Sequence, residues 1–339
     1  MSNDLQPYLT AIEEKLRAAV STPSDAVAPL YDMMAYHLGW LDEQFRPIEA
    51  YHGKRLRPLL CLLACEAAGG EWRKALPAAA ALELVHNFSL IHDDIEDNSP
   101  TRRGRPTVWT LWGLAHGINA GDSMLILARL AIARLSDHGM DKATGLTAMA
   151  ILDQTCITLC QGQYLDIACE GHLEVSEEGY LQMIGAKTAA LIAASTQLGT
   201  LIGGATDRTE HYRQFGWQLG LAFQMVDDIL GIWGDPATTG KPAASDIRSR
   251  KMTLPIIFAL QTSSQSQELA DLYRKQHLSD EDVSRAVAIL DRAGARQYVQ
   301  QRAAQYEASA LAALDAASAR SPAADHLRTL ATSLISRQK

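Results

Sequence analysis

The amino-acid sequence predicts an all-α fold in a single domain that covers residues 1–339, and three observations predict it. Apolar residues recur at helical spacing over long stretches, whereas the alternation of a half-buried strand is sustained nowhere. Aromatic residues make up only 6% of the chain while Ala and Leu are abundant, and this mix favours helix over sheet. No low-complexity linker interrupts the chain, so nothing marks a domain boundary.

The predicted helices follow the apolar repeat in chain order. The clearest of them are 76–98, 144–170, 177–204, 209–233 and 283–316. The segment TVWTLWG at 107–113 is the nearest approach to a strand, so strands should be few or missing. Two loops rich in Pro and Gly, at 99–107 and 234–246, each follow a helix that ends in carboxylates.

Composition and charge exclude several classes of protein. A net charge of −8 makes the chain a poor general binder of nucleic acid, although a local basic cluster can still hold a small anion. The five cysteines lack the spacing of a zinc site, so buried free thiols are expected. The N-terminal residues do not resemble a signal peptide, and the uncharged stretch 188–206 is too polar for a transmembrane segment. We expect a cytoplasmic protein in which 188–206 is a helix buried in the bundle.

The first candidate site is LIHDDIED, the carboxylate-rich end of a predicted helix. Asp93 and Asp97 are four residues apart and share a helix face, with Asp94 beside them. Like charges on one helical turn repel, and Mg²⁺ offsets that repulsion because it prefers carboxylate oxygens. The apolar run VHNFSLI that leads into the motif argues against an ordinary solvated helix end.

The second candidate site is AFQMVDDILG, where Asp227 and Asp228 follow another apolar run. One such pair is weak evidence, but two pairs that each precede a Gly, Pro and basic loop are stronger. Helical bundles commonly hold metal ions between carboxylates of facing helices.

Basic residues accompany both motifs. Arg recognises phosphate oxygens as a planar fork and Lys as a point charge, so these clusters favour two diphosphates, one bridged by metal and one held by cations alone. The basic residues are Lys54, Arg55, Arg57, Arg102, Arg103, Arg105, Lys187, Lys241, Arg248, Arg250 and Lys251.

Taken together, these motifs resemble the trans-isoprenyl diphosphate synthase (polyprenyl synthetase) family. DDxxD followed by RRG, with GKRLRP upstream, is highly specific. The resemblance implies the isoprenoid synthase fold, a large helical bundle around a central active-site cavity. The matching segments, in the family's order, are GKRLRP (53–58), LVHNFSLIHDDIED (84–97), RRGRPT (102–107), AGD (120–122), GQYLD (162–166), KT (187–188), FQMVDDILG (223–231) and GDPATTGKPAASDIRSRKMTLP (234–255).

The resemblance also implies roles for individual residues. Asp93, Asp97 and Asp227 would bind Mg²⁺, about three ions per active site, with Asp94 and Asp228 in support. Thr188 and Gln224 would stabilise the cation or assist the proton step. The residues implied for the allylic diphosphate and its cavity are Arg102, Lys187, Lys241, Lys251, Gln163 and Asp166. Those implied for isopentenyl diphosphate are Lys54, Arg57, His86 and Arg103.

The implied reaction is the head-to-tail condensation of isopentenyl diphosphate with an allylic diphosphate. Metal and cationic side chains neutralise the departing diphosphate, the allylic carbon–oxygen bond ionises, and the double bond of isopentenyl diphosphate attacks the cation. One position departs from the family pattern, because Gly231 stands where the second motif usually ends in Asp. Activity is expected to survive this change, with Asp235 as a candidate replacement acting through water.

Product length depends, in the family, on bulk four or five residues before the first aspartate. Ser89 leaves room there, while Phe88 resembles the aromatic floor of geranylgeranyl (C20) synthases, with farnesyl (C15) as the alternative. Phe88 as ordinary core packing remains open. A class I terpene cyclase and an inactive subunit of a two-component synthase are the competing functions. A cyclase does not need a second diphosphate site, so the second basic cluster argues against it. The missing aspartate at Gly231 is compatible with an inactive subunit. The family is usually homodimeric.

Overall fold

The structure is a computed structural model that describes residues 3–48, 50, 53–235, 243–317 and 320–336. Within these ranges the regular secondary structure is helical apart from one short hairpin and an isolated β-bridge between Leu41 and Pro47. Strands β1 (Thr101–Arg102) and β2 (Arg105–Pro106) form that hairpin. The helices are α1 (Gln6–Ala19), α2 (Ala28–His37), α3 (Leu56–Ala67), α4 (Leu76–Glu96), α5 (Val108–Trp112), α6 (Leu114–Ala133), α7 (Lys142–Cys169), α8 (Glu177–Ile184), α9 (Ala190–Ile202), α10 (Thr209–Trp233), α11 (Ser245–Arg248), α12 (Leu254–Thr262), α13 (Ser266–Tyr273), α14 (Asp280–Ala293), α15 (Ala295–Ala316) and α16 (Pro322–Ile335).

The predicted helices 76–98, 144–170 and 209–233 are confirmed as α4, α7 and α10. The predicted helix 177–204 is interrupted, because a π-helical turn at Gly185–Ala189 separates α8 from α9. The predicted helix 283–316 is two helices, since Gly294 ends α14 with a φ of 71°, a left-handed conformation that glycine adopts without steric cost.

The expectation of few strands is confirmed, since the described residues form one short hairpin. The segment 107–113 forms α5 rather than a strand-like stretch, whereas the described strands lie in the Arg-rich loop just before it. The stretch 188–206 is largely buried, as expected. By length and composition, one helix in the described part of the chain, α7, could cross a membrane. That is weak evidence, since core helices pass the same test.

The chain divides into two compact units, so the single-domain prediction stays a prediction. Unit 1 comprises Met1–Cys156, Ala194–Arg213 and Ala319–Leu327, and unit 2 comprises Ile157–Ala193, Gln214–Ser318 and Arg328–Lys339.

Unit 1 has a core of closely approaching helices. A Cβ on Gly199 would lie 2.1 Å from the carbonyl oxygen of Cys61, and a Cβ on Gly203 would lie 2.7 Å from the carbonyl oxygen of Cys65. The backbones of α9 and α3 are therefore in direct contact.

Burial of Cys61 and Cys65 was predicted and is confirmed. Burial raises the pKa of both thiols, to about 12 for Cys65. The prediction was wrong for Cys160, which is exposed on α7.

A buried ion pair fixes the start of α3 in unit 1. Arg55 is 3% exposed, and its guanidinium donates to Glu83 at 2.9 Å and to Glu13 at 3.2 Å. Removing one member of such a pair leaves a buried charge without a partner and costs about 3–5 kcal/mol. Arg55 therefore stabilises the fold, although the sequence alone groups it with the phosphate-binding cations.

Candidate active site

The first carboxylate motif lies where α4 leaves the core of unit 1. Every side chain from Pro77 to Val85 is buried, which makes α4 a rigid support. At the end of the helix, Asp93 and Asp97 are partly exposed, whereas Asp94 is 2% exposed. The prediction that the carboxylates close a buried apolar helix is confirmed.

Arg102 neutralises part of the charge on this motif. Its Nη2 donates to Oδ2 of Asp93 at 3.1 Å, and its Nε donates to Oδ1 of Asp94 at 2.8 Å. Burial raises the pKa of Asp94 to about 6, and the guanidinium of Arg102 acts in the opposite direction. In this motif the buried carboxyl group of Asp94 is held by Arg102. The carboxylates of Asp93 and Asp97 are more accessible than that of Asp94 and suit ligand binding.

The Arg-rich loop forms a two-residue hairpin. Arg103 and Gly104 occupy its turn with φ angles of 54° and 74°, the pattern that matches the twist of paired strands and that favours Gly at the second position. Arg105 holds the hairpin in place by donating to the carbonyl oxygens of Tyr36 at 3.0 Å and Leu41 at 2.6 Å. The sequence marks Arg105 only as one basic residue among several, because its partners are distant in the chain.

A separate cationic cluster lies in unit 1, formed by side chains of α2, α3, α4 and the hairpin. Burial lowers the pKa of His86 well below 6.5, and the neighbouring Arg57 and Arg103 lower it further. Burial likewise lowers the pKa of Arg57 to about 10, with Glu83 opposing and Arg103 reinforcing the shift. A site in which cations depress one another's pKa is stabilised by an anion.

Two details of this cluster point to a ligand. The Nε2 of His37 and the Nε of Arg57 are buried and have no hydrogen-bond partner within the described residues. Gly53 has a φ of 85°, and a Cβ there would lie 3.1 Å from Nη2 of Arg103, so a glycine lets the GKRLRP segment approach the hairpin. Lys54, next to it, is exposed. His37 was missed in the sequence because a lone histidine in a helix belongs to no motif.

In unit 2, the π-helical turn Gly185–Ala189 carries Lys187 and Thr188. Such turns insert an extra residue into a helix and often occur at functional sites. A Cβ on Gly162 of α7 would lie 2.2 Å from the backbone nitrogen of Lys187, so only glycine allows this approach. One turn further along α7, Asp166 forms an ion pair with the Nζ of Lys187. The structure thus brings together the predicted residues of GQYLD and KT.

The two aspartates of the second motif differ sharply in environment. Asp227 is exposed, whereas Asp228 is 3% exposed and accepts hydrogen bonds from Tyr180 Oη at 2.6 Å, Gln224 Nε2 at 3.0 Å and the backbone nitrogen of Leu254 at 3.3 Å. Burial raises the pKa of Asp228 to about 7, while the donors act against that shift. Asp228 therefore fixes other side chains rather than reaching toward a ligand.

Asp228 also orients Gln224, which was predicted to act together with Thr188. The amide of Gln224 donates to Asp228, and the hydroxyl of Thr188 donates to Oε1 of Gln224 at 2.8 Å. The chain of hydrogen bonds sets the orientation of both side chains.

Three further residues predicted to bind the allylic diphosphate are Lys241, Gln163 and Lys251. Lys241 lies outside the described residues. Gln163 and Lys251 are partly buried, and both belong to unit 2.

The carboxylates present fit a magnesium ion, although the part of the chain that the structure describes has no cluster of three or more His, Cys, Asp or Glu side chains forming a complete metal site. Mg²⁺ does not need such a cage. It keeps several waters and binds through one or two carboxylates together with phosphate oxygens of a substrate. In unit 1 the accessible oxygens of Asp93 and Asp97 offer that kind of donor set, and in unit 2 the exposed carboxylate of Asp227 offers a further donor of the same kind.

The residues predicted to control product length lie on the same helix. Phe88 is 6% exposed and packs edge-on against His92, with ring centres 5.9 Å apart. His92 in turn fills the space beside Gly121, where a Cβ would lie 2.2 Å from its Nε2. The hydroxyl of Ser89 bonds to the carbonyl oxygen of His86 at 2.8 Å. Whether Phe88 limits a product stays a prediction.

Comparisons with known proteins give the family and the fold to which the chain is similar. A family model described as polyprenyl synthetase matches residues 39–290. A geranylgeranyl diphosphate synthase from Mycobacterium tuberculosis is 42% identical over 289 residues, which are 84% of this chain and 81% of that protein. A (2E,6E)-farnesyl diphosphate synthase from Mycobacterium bovis is 37% identical over 313 residues, 90% of this chain and 86% of that protein. The crystal structure of a polyprenyl synthetase from Streptomyces coelicolor A3(2) has a TM-score of 0.90 at 36% identity and covers 97% of this chain and 98% of that one.

Proposed function

The chain belongs to the polyprenyl synthetase family, and from this premise we propose that it is a prenyltransferase that condenses isopentenyl diphosphate with allylic diphosphates. The product is a medium-chain all-trans prenyl diphosphate, with geranylgeranyl diphosphate favoured. The relatives named as geranylgeranyl and farnesyl diphosphate synthases support this range of products. The resemblance read from the motifs is thereby confirmed at the level of family.

A single observation carries the proposal, namely that unit 1 contains two clusters of charged side chains that differ in chemistry. One site combines the carboxylates of Asp93 and Asp97 with the guanidinium of Arg102. The other is the cationic cluster around Arg57 and His86. A metal-bridged diphosphate suits the first site and a diphosphate held by cations alone suits the second. A terpene cyclase needs only the first site.

The residues would divide the chemistry between them. Asp93, Asp97 and Asp227 would hold magnesium, about three ions, which supplies positive charge to the departing diphosphate when bound. Arg102, Lys187 and Lys241 would bind the same allylic diphosphate. The resemblance and the donor chemistry support these roles.

The second substrate would be oriented by the cationic cluster. Lys54, Arg57, His86 and Arg103 would bind the diphosphate of isopentenyl diphosphate, so that its double bond faces the allylic carbon. The hydroxyl of Thr188 and the amide of Gln224, aligned by Asp228, would stabilise the allylic cation or assist the loss of the proton.

The protein is proposed to act as a homodimer in the cytoplasm, without nucleic-acid partners. Helix α6 supports the dimer because large apolar side chains are exposed along it: Leu114 is 54% exposed, Ile118 43%, Ile126 54% and Leu130 57%. Exposed apolar surface of this extent is a usual sign of a protein interface. The net charge of −8 supports the absence of nucleic-acid binding.

The test is an incubation of purified protein with isopentenyl diphosphate and, in turn, dimethylallyl, geranyl and farnesyl diphosphate. Products are dephosphorylated and sized. A C20 alcohol is expected. A C15 or much longer alcohol would keep the reaction but contradict the role of Phe88. Release of a cyclic hydrocarbon without consumption of isopentenyl diphosphate would favour the cyclase, and no reaction with any starter would favour the inactive subunit.

A further inference from the structure

The segment that leads into α3 contains a residue in a strained backbone conformation. Arg55 has φ and ψ angles of 47° and 41°, the left-handed conformation that a residue with a Cβ seldom adopts. Such a conformation persists only where the surrounding structure enforces it, and it is found preferentially at functional sites. Arg55 lies between Lys54 and Arg57, which are proposed to bind a diphosphate, so the backbone of Arg55 sets how these two side chains are presented.

Contacts of the Arg55 side chain enforce this conformation. The side chain is 2% exposed, and its Nη1 donates to Oε1 of Glu83 at 2.9 Å. Its Nη2 donates to Oε2 of Glu13 at 3.2 Å and to the carbonyl oxygen of Leu38 at 3.5 Å. The side chain of Arg55 is thus used to anchor the segment to α1 and α4 and is too deeply buried to bind a ligand.

Glu83 connects this anchor to the cationic cluster. It is 3% exposed and lies three residues before His86 on α4, so the two are close to one face of the helix. Its Oε1 also accepts a hydrogen bond from Nδ2 of Asn87 at 3.1 Å, which fixes the carboxylate. Its negative charge raises the pKa of Arg57, against the effect of burial. One carboxylate therefore holds Arg55 directly and stabilises the charge on Arg57.

The second anchor, Glu13, lies on α1 and belongs to no motif in the sequence. Its Oε2 bonds to Arg55, while its Oε1 accepts a hydrogen bond from Nε1 of Trp40 and lies 3.6 Å from Nη2 of Arg17. The side chain of Glu13 is 24% exposed, against 4% for Glu83. The carboxylate of Glu13 thus ties α1 to the start of α3, and it can be changed with less cost to the core than that of Glu83.

We propose that Glu13 is a positioning residue for the binding of isopentenyl diphosphate. Through Arg55 it holds Lys54 and Arg57 in the arrangement that binds the diphosphate, although it does not contact the substrate itself. The identity of that substrate rests on the proposed function. The N-terminal helix thereby contributes to the affinity for one substrate of the reaction.

The first carboxylate motif is held by different contacts. Arg102 forms ion pairs with Asp93 and Asp94 at the end of α4. A change at Glu13 should therefore alter the binding of isopentenyl diphosphate and leave the binding of the allylic diphosphate nearly unchanged. A role of Glu13 in stability alone would affect the two substrates alike.

The test replaces the carboxylate of Glu13 by an amide of the same shape. In Glu13→Gln a single amide oxygen cannot accept from both Trp40 and Arg55, so the hold on Arg55 is weakened, while Glu83 still pairs with Arg55 and maintains the fold. Binding of isopentenyl diphosphate is measured by isothermal titration calorimetry in chelator, since a site of cations alone needs no metal. KM for isopentenyl diphosphate, KM for geranyl diphosphate and kcat are measured in parallel with Mg²⁺.

Glu13→Gln is expected to weaken the binding of isopentenyl diphosphate by about five- to tenfold and to raise its KM by the same factor. Its kcat and its KM for geranyl diphosphate should stay within about twofold of wild type. Glu13→Asp keeps the charge and should retain most of the affinity. Two controls lie beside Glu13 on α1. Glu14→Gln changes an exposed side chain and should match wild type, whereas Ile12→Val changes a buried one and should lower the melting temperature without changing either KM.

The inference is overturned if Glu13→Gln binds isopentenyl diphosphate like wild type, or if KM rises equally for both substrates. It is also overturned if Ile12→Val raises the KM for isopentenyl diphosphate as much as Glu13→Gln does, because the effect would then follow stability alone. Wild-type protein that binds isopentenyl diphosphate but consumes none contradicts the proposed function, and calorimetry of the variants still decides the role of Glu13. Wild-type protein that does not bind it overturns both.

Discussion

Neighbouring aspartates in the second motif are expected to respond differently to the same substitution. Asp228→Asn disturbs a buried carboxylate that accepts three hydrogen bonds, so the free energy of unfolding should fall by about 1–3 kcal/mol. Asp227→Asn changes an exposed side chain and should leave stability nearly unchanged while reducing kcat by about 100-fold or more. Urea unfolding and initial rates measure the two effects. Equal losses of stability would contradict the assignment of Asp228 as the internal support.

A histidine in the cationic cluster should make stability depend on pH. The pKa of His86 lies well below 6.5 in the folded protein. Below pH 6.5 the imidazole of His86 therefore binds a proton in the unfolded chain but stays neutral in the native state. The contribution of His86 to the free energy of unfolding is therefore complete above pH 6.5 and decreases as the pH falls below that value. His86→Gln should reduce this slope by up to about 1.4 kcal/mol per pH unit. Urea unfolding of metal-free protein between pH 8 and 5.5 provides the measurement, and an unchanged slope would contradict the buried neutral imidazole.

At the scale of elements, the approach of α7 to the π-helical turn depends on one glycine. Gly162→Ala places a methyl group 2.2 Å from the backbone nitrogen of Lys187, so the turn must move. Stability should fall by about 1–3 kcal/mol, and kcat should fall with it because Lys187 and Thr188 shift. Gly145→Ala, on the same helix with open space around it, is the control and should stabilise the protein by about 0.5–1 kcal/mol. Thermal unfolding and initial rates are measured for both variants. Equal changes in stability and kcat for Gly162→Ala and Gly145→Ala would contradict the close contact at Gly162.

The elements also show how far sequence reasoning reaches. Long helices such as α4 and α10 are predictable because their apolar repeat is sustained from end to end. The π-helical turn is not predictable, since the sequence of Gly185–Ala189 continues the helical pattern of the flanking residues and the changed backbone hydrogen bonding is visible only in the structure. Likewise the motifs identify Asp93 and Asp227, whereas the place of His37 in the cationic cluster and the role of Arg105 in holding the hairpin become visible only through partners distant in the chain.

At the scale of the whole molecule, the apolar face of α6 is expected to be covered by a second copy of the chain. Ile126→Glu should convert a dimer to a monomer in sedimentation velocity experiments, because it buries a charge in an apolar interface. Val27→Glu is the control, since Val27 is 41% exposed and lies outside α6. A wild-type protein that is monomeric at micromolar concentration, or an Ile126→Glu variant that stays dimeric, would contradict this use of α6.

The protein is proposed to join two diphosphate substrates, one bound at a metal-dependent site and one at a site of cations alone. The most direct measurement is the rate of incorporation of labelled isopentenyl diphosphate into geranyl or farnesyl diphosphate as Mg²⁺ is titrated, for wild type and for Asp97→Asn. No incorporation is expected in chelator, saturable incorporation is expected with Mg²⁺, and the variant is expected to have a rate at least about 100-fold lower. Incorporation that is independent of Mg²⁺, or an Asp97→Asn variant as active as wild type, would contradict this proposal.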